Sequence, residues 1–265
     1  MIVRESISSR QNSKIKQLIL LQKSRNRHLD GLFVIEGLKE IEKANFSGYH
    51  FKSLFFCPQI ISADKVAQFI SGQSDCQIFE VTRDVYEKIA YRENTGGIVV
   101  LAKMKEQLAS FEVVENPLYL VIEGVEKPGN LGAIYRTADA VGVDAVIICD
   151  PKADIYNPNA IRASLGCVFT VPTFITTVAE AIALLKANGV QVVTTYLKAA
   201  VPYDQVDYKQ PTAIVMGTEA TGISDEWLAA SDFHIIIPMR GAADSMNVSV
   251  STAVVVFEAR RQRGF

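Results

Sequence analysis

Short apolar segments alternate with helical patterns through the C-terminal half of the chain, and this alternation limits the possible folds most strongly. The apolar segments lie at 118–122, 145–149, 190–194, 213–216 and 235–237, and the helical patterns lie at 131–141, 179–187 and 225–230. Continuous β-branched runs are typical of strands that are buried on both faces. The alternation therefore predicts an α/β domain with a parallel sheet covered by helices on both sides.

The N-terminal half of the sequence predicts a small α/β unit of about 100 residues. Strands are expected at 32–35, 51–57, 76–82 and 98–102, and helices at 13–29, 39–44, 63–71 and 83–90. The polar stretch that follows ends in Asn-Pro, which is typical of a linker. We therefore expect a first domain over 1–104, a linker over 105–116 and a second domain over 117–265.

Charge is distributed unevenly along the chain, although the net charge is only −2. Residues 1–30 carry seven Lys or Arg side chains against two acidic ones, and the remainder beyond residue 108 is acidic. This asymmetry favours a polyanionic partner for the N-terminal half. A solvated helix face is the alternative interpretation.

Cysteine and histidine usage argues against a metal centre. The four cysteines form no C-x-x-C pair and the three histidines are scattered, so no metal site is predicted.

The polar first ten residues lack the apolar core of a signal peptide. We expect a cytoplasmic protein.

Three loops that follow predicted strands carry small and polar residues. Ligands of parallel sheets bind beyond the carboxyl ends of strands, so these loops predict a pocket. The polar candidates are Asn130, Arg136, Glu219, Ser245 and Asn247. They include no His or Cys, which disfavours a nucleophilic triad, and the chain has no G-x-G-x-x-G or P-loop. Taken singly, Asn130, Ser245 and Asn247 could be helix caps.

Three ordered motifs resemble a known family. The segments NLGAIYRTA (130–138), IVMGTEATGIS (214–224) and IPMRGAADSMNVSVS (237–251) closely resemble the motifs of the SpoU, or TrmH-like, branch of the SPOUT RNA methyltransferases. Segments 154–158 and 162–166 look like the stretch between those motifs. The N-terminal half, including 9–12, 14–16 and 33–37, resembles the L30e-like substrate-binding domain of that family.

The resemblance implies a fold and a cofactor. A SPOUT domain carries a deep C-terminal trefoil knot, acts as a homodimer and binds S-adenosylmethionine largely through backbone groups. The corresponding cofactor-binding positions here are Met216, Gly217, Glu219, Gly222, Ile237, Pro238 and Met246. Met246 stands where the family more often has leucine, a swap of similar volume.

The resemblance also implies methyl transfer to a ribose 2′-hydroxyl. Arg136 matches the arginine that is proposed to activate the hydroxyl, but a guanidinium is a reluctant base. Arg136 is alternatively expected to hold a phosphate and stabilise the alkoxide. Asn130, Glu219, Ser245 and Asn247 match the other active-site positions and are expected to orient the reactants.

The separate N-terminal domain favours ribosomal RNA, of the 23S class, over transfer RNA as substrate. Phosphate contacts are expected from Lys14, Lys16, Lys23, Arg25 and Arg27. The alternatives are a transfer-RNA substrate, a catalytically silent RNA-binding protein, methylation of a base, and a small-molecule enzyme that uses a nucleotide. The intact polar set disfavours the silent protein, and the absent phosphate-binding fingerprint disfavours the small-molecule enzyme.

Overall fold

A computed structural model describes residues 3–91, 96–105, 114–199, 201–218 and 222–265. Its contacts divide the chain into two compact units. The first unit comprises Met1–Glu106 with Asp154–Thr170, and the second comprises Gln107–Ala153 with Val171–Phe265. The segment Asp154–Thr170 thus groups with the N-terminal residues, whereas the sequence assigned all of 117–265 to one domain.

The described residues form strands and helices in both units. The strands are β1 (Val3–Ile7), β2 (Leu32–Glu36), β3 (Phe51–Phe56), β4 (Gln77–Val81), β5 (Ile98–Lys103), β6 (Leu118–Glu123), β7 (Ala145–Cys149), β8 (Thr173–Thr176), β9 (Gln191–Thr195), β10 (Val201–Pro202), β11 (Thr212–Met216) and β12 (Phe233–Ile236). The helices are α1 (Ser13–Leu20), α2 (Ser24–Asp30), α3 (Leu38–Phe46), α4 (Ala63–Phe69), α5 (Arg83–Ile89), α6 (Pro128–Val141), α7 (Pro158–Ala163), α8 (Cys167–Thr170), α9 (Val178–Ala187), α10 (Asp225–Ala230) and α11 (Val248–Arg263).

The first unit is built on a mixed sheet in the order β1-β4-β3-β5-β2. Strands β1, β4 and β3 are parallel, and β5 runs antiparallel to both of its neighbours. Phe55 and Phe79 stack at 5.1 Å between ring centroids, and Ile15 and Leu18 of α1 are buried in the same core cluster. Apart from the first helix, the predicted strands and helices of this half are confirmed to within a few residues, and β1 escapes prediction because its sequence, VRESI, is polar.

The predicted helix over 13–29 is wrong in one respect, because the structure has two helices there. Helix α1 ends at Leu20 and α2 begins at Ser24. The Arg27 guanidinium stabilises the break between the two helices, because its Nη1 donates hydrogen bonds to the carbonyl oxygens of Leu21 and Gln22, both at 2.9 Å. In a continuous helix those carbonyls would bond to backbone amides instead.

The second unit holds a seven-stranded sheet in the order β10-β12-β9-β11-β6-β7-β8, and every pair in it is parallel. This confirms the predicted parallel α/β domain. From β6 the chain moves outward to β7 and β8, then crosses to β9, and β11 later enters between β6 and β9. The carboxyl ends of β6 and β11 thus lie at a point where the strand order reverses, which is where ligands of such sheets bind.

Helices cover this sheet as the alternation predicted. Trp227 of α10 and Ala181 and Leu185 of α9 are buried in one core cluster with the sheet residues Val121 and Val215. Helix α9 begins with a capping box between Thr177 and Glu180. Within the described residues, no helix is both long enough and apolar enough to cross a membrane.

Candidate active site

A pocket of about 680 Å³ lies at the carboxyl ends of β9, β11 and β12 in the second unit. Its volume is in the range of small-molecule sites. The lining comes from the residues after β9, the glycine-bearing loop after β11, helix α10, the end of β12 with the loop that follows it, and the start of α11. The lining includes Thr195, Tyr196, Leu197, Lys198, Met216, Gly217, Thr218, Gly222, Ile223, Asp225, Leu228, Ile237, Met239, Asp244, Ser245, Met246, Asn247 and Ser251.

Glycines allow the loop after β11 to close tightly. The Thr218 amide donates to the Gly222 carbonyl at 2.9 Å, and the Gly222 amide donates back at 3.2 Å. A Cβ at Gly217 would collide with the Gly222 backbone and would lie 2.5 Å from the Ile223 nitrogen. A side chain at position 217 is therefore excluded, and main-chain groups border the pocket directly. The predicted Glu219 lies outside the described residues.

Two predicted catalytic residues meet although they are far apart in the chain. Asn247 is the N-cap of α11, and its Oδ1 accepts from the Ser249 amide at 2.9 Å. Its Nδ2 donates to Oδ1 of Asn130 at 3.2 Å. The Asn247 side chain thus caps the C-terminal helix and also forms a hydrogen bond with the first turn of α6.

The predicted capping role is correct for Asn247 and wrong for Asn130 and Ser245. Helix α6 begins earlier than its apolar pattern indicates, with Lys127 as N-cap and Pro128 at its first position. Proline suits that position because its φ is already helical and its missing amide has no partner there. Asn130 therefore lies within the first turn, and its side chain reaches Asn247 instead of capping its own helix.

Arg136 lies further along α6 and is exposed. Its side chain forms no hydrogen bond or ion pair with any residue that the structure describes. A guanidinium in this state presents all of its donors to a ligand. Arg136 is not part of the pocket lining, but its free donors suit recognition of a phosphate or a developing oxyanion.

The structure brings together most of the predicted cofactor-binding positions. Met216, Gly217, Gly222, Ile237 and Met246 all line the pocket, together with Ser245 and Asn247. Pro238 lies in the same loop but is not part of the lining. Sequence reasoning missed the segment after β9, from Thr195 to Lys198, although the rule of strand carboxyl ends applies to it equally.

The predicted phosphate-binding residues of the first unit divide into two groups. Lys16, Lys23 and Arg25 are exposed, and Lys14 is half-buried with its Nζ 5.1 Å from the centroid of the Phe79 ring. The contact of these four residues with RNA phosphates stays a prediction.

Arg27 differs from these four residues, and its predicted contact with RNA is wrong. Its side chain is fully buried. Its Nε and Nη2 donate to Oδ2 of Asp154 at 2.8 and 2.7 Å, while Nη1 binds two backbone carbonyls. With these donors engaged inside the unit, Arg27 stabilises the fold and cannot reach a phosphate.

Sequence comparison decides the family. The profile of the SpoU rRNA Methylase family matches residues 117–257. The chain belongs to the SpoU rRNA methylase family. A second profile, the MRM3-like substrate binding domain, matches residues 12–100. The basic residues Lys14, Lys16, Lys23 and Arg25 therefore lie in a region that is similar to substrate-binding domains.

Relatives of this SpoU family member include full-length and partial matches. The 23S rRNA guanosine 2′-O-methyltransferase RlmP of Bacillus subtilis is 30% identical over 97% of this chain and 99% of its own length. A tRNA guanosine 2′-O-methyltransferase of Escherichia coli is 44% identical but matches only 55% of this chain and 64% of its own. An AdoMet-bound rRNA methyltransferase from Sinorhizobium meliloti superposes with a TM-score of 0.88, at 32% identity and 97% coverage of both chains.

Proposed function

We propose that this protein transfers a methyl group from S-adenosylmethionine to a ribose 2′-hydroxyl of ribosomal RNA. The observation that carries the proposal is the Asn247–Asn130 hydrogen bond. It joins the rim of the glycine-bearing pocket to α6, the helix that presents an exposed and available Arg136. Relatives that match the whole chain support the same reaction class.

The residues of the pocket fit S-adenosylmethionine. Apolar side chains of Leu228, Ile237 and Met246 suit an adenine ring, and Lys198 and Asp244 offer opposite charges to a methionine carboxylate and amine. Because residue 217 has no side chain, main-chain groups can approach a ligand closely there, which suits a cofactor that is held by contacts with the protein backbone. When bound, the cofactor supplies an activated methyl group on a sulfonium.

The protein's own residues position the acceptor. Arg136 binds the phosphate beside the target ribose and stabilises negative charge on the 2′-oxygen as its proton leaves to solvent water. Asn130, held by Asn247, hydrogen-bonds to the ribose and fixes the line of attack. Ser245 lies in the pocket lining and orients the same region. Glu219 is assigned a supporting hydrogen-bonding role from the motif alone.

Ribosomal RNA is preferred to transfer RNA because of the N-terminal unit. The 23S rRNA enzyme of Bacillus subtilis matches nearly the entire chain, whereas the tRNA enzyme of Escherichia coli matches 55% of it. The exposed Lys16, Lys23 and Arg25 add cationic groups that a polyanion requires.

The proposal includes a knotted catalytic unit, a cytoplasmic location and a homodimer. Val250 and Phe257 of α11 are 48% and 41% exposed, although the opposite face of this helix is buried. An exposed apolar face on an otherwise packed helix supports burial against a second copy.

Transfer of labelled methyl from S-adenosylmethionine to separate pools of unmodified ribosomal and transfer RNA tests the function. Label at a 2′-oxygen of ribosomal RNA is expected, with loss in an Arg136→Ala variant. Label confined to transfer RNA would keep the chemistry and overturn the substrate. Absence of S-adenosylmethionine binding would favour a silent RNA-binding protein instead.

A further inference from the structure

The first unit contains a second pocket, of about 420 Å³, which lies wholly among its own elements. The carboxyl end of β2, the start of α3 and helix α7 form its walls. Its lining combines apolar side chains with two carboxyl groups and one guanidinium. The residues are Leu18, Gln22, Val34, Glu36, Gly37, Leu38, Glu40, Ile89, Tyr91, Gly96, Pro158, Ile161, Arg162 and Leu165.

Glu36 presents a carboxylate oxygen that needs a hydrogen-bond donor. Its Oε2 accepts from the Tyr91 amide at 2.8 Å. Its Oε1 is buried and has no hydrogen-bond partner in the part of the chain that the structure describes. A buried acceptor without a donor is costly, particularly on an ionised group. The position is therefore suited to a ligand that carries N–H groups.

Arg162 supplies the complementary chemistry in the same pocket. Its side chain is half-buried and makes no hydrogen bond or ion pair with the residues described here. A guanidinium offers five N–H donors in a planar fork, which suits a ligand edge with two acceptors. Burial raises the pKa of the Glu40 carboxyl, and the charge of the nearby Arg162 opposes that rise although the two side chains form no ion pair.

The remaining walls suit a flat aromatic ligand. Val34, Ile89 and Ile161 provide apolar surface, and Tyr91 is 42% exposed. The Tyr91 hydroxyl accepts from Nδ2 of Asn159 at 3.1 Å, which holds the ring in place. Proteins that read unstacked bases combine aromatic or apolar faces with a few edge-directed polar groups.

We infer that this pocket binds an unstacked guanine base of the RNA substrate, with Glu36 and Arg162 reading its edges. This inference rests on the proposed function. Guanine carries adjacent N1–H and N2–H donors for a carboxylate and the O6 and N7 acceptors for an arginine fork. Adenine and cytosine place an acceptor beside their amino group, so neither offers two adjacent donors. The first unit thereby selects a nucleotide, in addition to binding phosphates.

Fluorescence anisotropy with labelled pentanucleotides tests the inference on the full chain. The probes have the sequence UUXUU, where X is guanosine, inosine, adenosine, cytidine or uridine. Guanosine is expected to bind about 10- to 100-fold more tightly than adenosine or cytidine, with inosine intermediate because it lacks the N2 amine. The Glu36→Gln variant is expected to bind all five probes with nearly equal affinity.

Glu87→Gln is the matched control, because Glu87 is an exposed carboxylate paired with Arg83 in the same unit. It should keep the guanosine preference, whereas Arg162→Gln should reduce that preference. Equal binding of all probes by the unaltered protein, or an undiminished preference in Glu36→Gln, would overturn the inference. An Arg162→Gln variant that weakens every probe equally would indicate an anion site instead and would also overturn it.

The methylation assay separates this inference from the proposed function. If the protein methylates RNA but shows no guanosine preference, the base pocket is refuted and the enzyme assignment stands. If it prefers guanosine but binds no S-adenosylmethionine, the enzyme assignment fails and the base pocket stands.

Discussion

Asn247 donates a hydrogen bond from Nδ2 to Oδ1 of Asn130 at 3.2 Å, across 117 positions of the chain. The same side chain caps α11 through its Oδ1. The start of the C-terminal helix and the first turn of α6 are therefore coupled through one residue. Capping and site assembly can be separated by substitution, because only the second needs the amide nitrogen.

Replacing Asn247 by Ser and by Ala should separate these two roles. Serine caps a helix about as well as asparagine, whereas alanine costs about 1 kcal/mol of stability. We expect Asn247→Ser to retain the thermal midpoint and Asn247→Ala to lower it, while both variants lose most methyl transfer. Calorimetry with a methyl-transfer assay checks this. Full activity in Asn247→Ser would show that the link to Asn130 is dispensable.

Arg136→Ala should lower the rate of methyl transfer by about 10²- to 10³-fold, as expected when a donor to a developing oxyanion is removed. Stability should change by no more than about 0.5 kcal/mol because the side chain is exposed. S-adenosylmethionine affinity, measured by calorimetric titration, should be nearly unchanged. Arg83→Ala, at an exposed arginine of the other unit, is the control. Parallel loss of cofactor affinity would contradict the separate role of Arg136.

Gly217→Ala should weaken S-adenosylmethionine binding more than tenfold and lower stability by about 1–3 kcal/mol, the usual cost of overpacking. The added methyl group would collide with the Gly222 backbone. Gly129→Ala is the matched control, because a Cβ there meets no atom within 4 Å. Titration and thermal unfolding of both variants provide the measurement. Unaltered binding by Gly217→Ala would show that the loop relaxes freely.

Arg27→Ala should destabilise the first unit by about 3–5 kcal/mol, since the nearly buried carboxylate of Asp154 loses the guanidinium that pairs with its charge. Arg25→Ala should leave stability unchanged and reduce RNA affinity, with a shallower dependence on salt. Denaturant unfolding and RNA titration at two salt concentrations distinguish them. A stable Arg27→Ala variant with weakened RNA binding would restore the original interpretation of Arg27 as a phosphate contact.

Glu40 and Glu180 should contribute to stability with opposite pH dependence. Burial raises the pKa of Glu40 above 4.5, so the stability associated with its neutral form is present below pH 4.5 and is lost as the pH rises. A hydrogen bond from Thr176 lowers the pKa of Glu180, so its contribution is present above pH 4.5 and is lost on acidification. Relative to the unaltered protein, the Glu40→Gln variant should therefore become more stable as the pH rises toward 7, and the Glu180→Gln variant should become less stable. Thermal midpoints across pH 3 to 7 check both signs, and a constant difference for Glu40→Gln would contradict the burial argument.

The sequence predicted elements whose periodicity reports directly on burial. Strands β6, β7 and β11 appear as uninterrupted apolar runs, and each is buried on both faces of a parallel sheet. The short edge strand β10 and the half-buried β8 carry no such signal and were missed. Helices α7 and α8 are each no longer than six residues, too short for a helical period to be distinguished.

The sequence by itself determined the parallel α/β unit, the family motifs and the loops after β11 and β12 that line the candidate active site. Local patterns suffice for these features because each depends on neighbouring residues or on strand ends that share one sheet edge. Only the tertiary structure decided that Arg27 is buried against Asp154 and that Asn130 bonds to Asn247. It also placed Glu36 and Arg162 around one pocket. The two residues of each pair are distant in sequence. The position of a charged or amide side chain in the sequence does not indicate which distant group that side chain will contact in the fold.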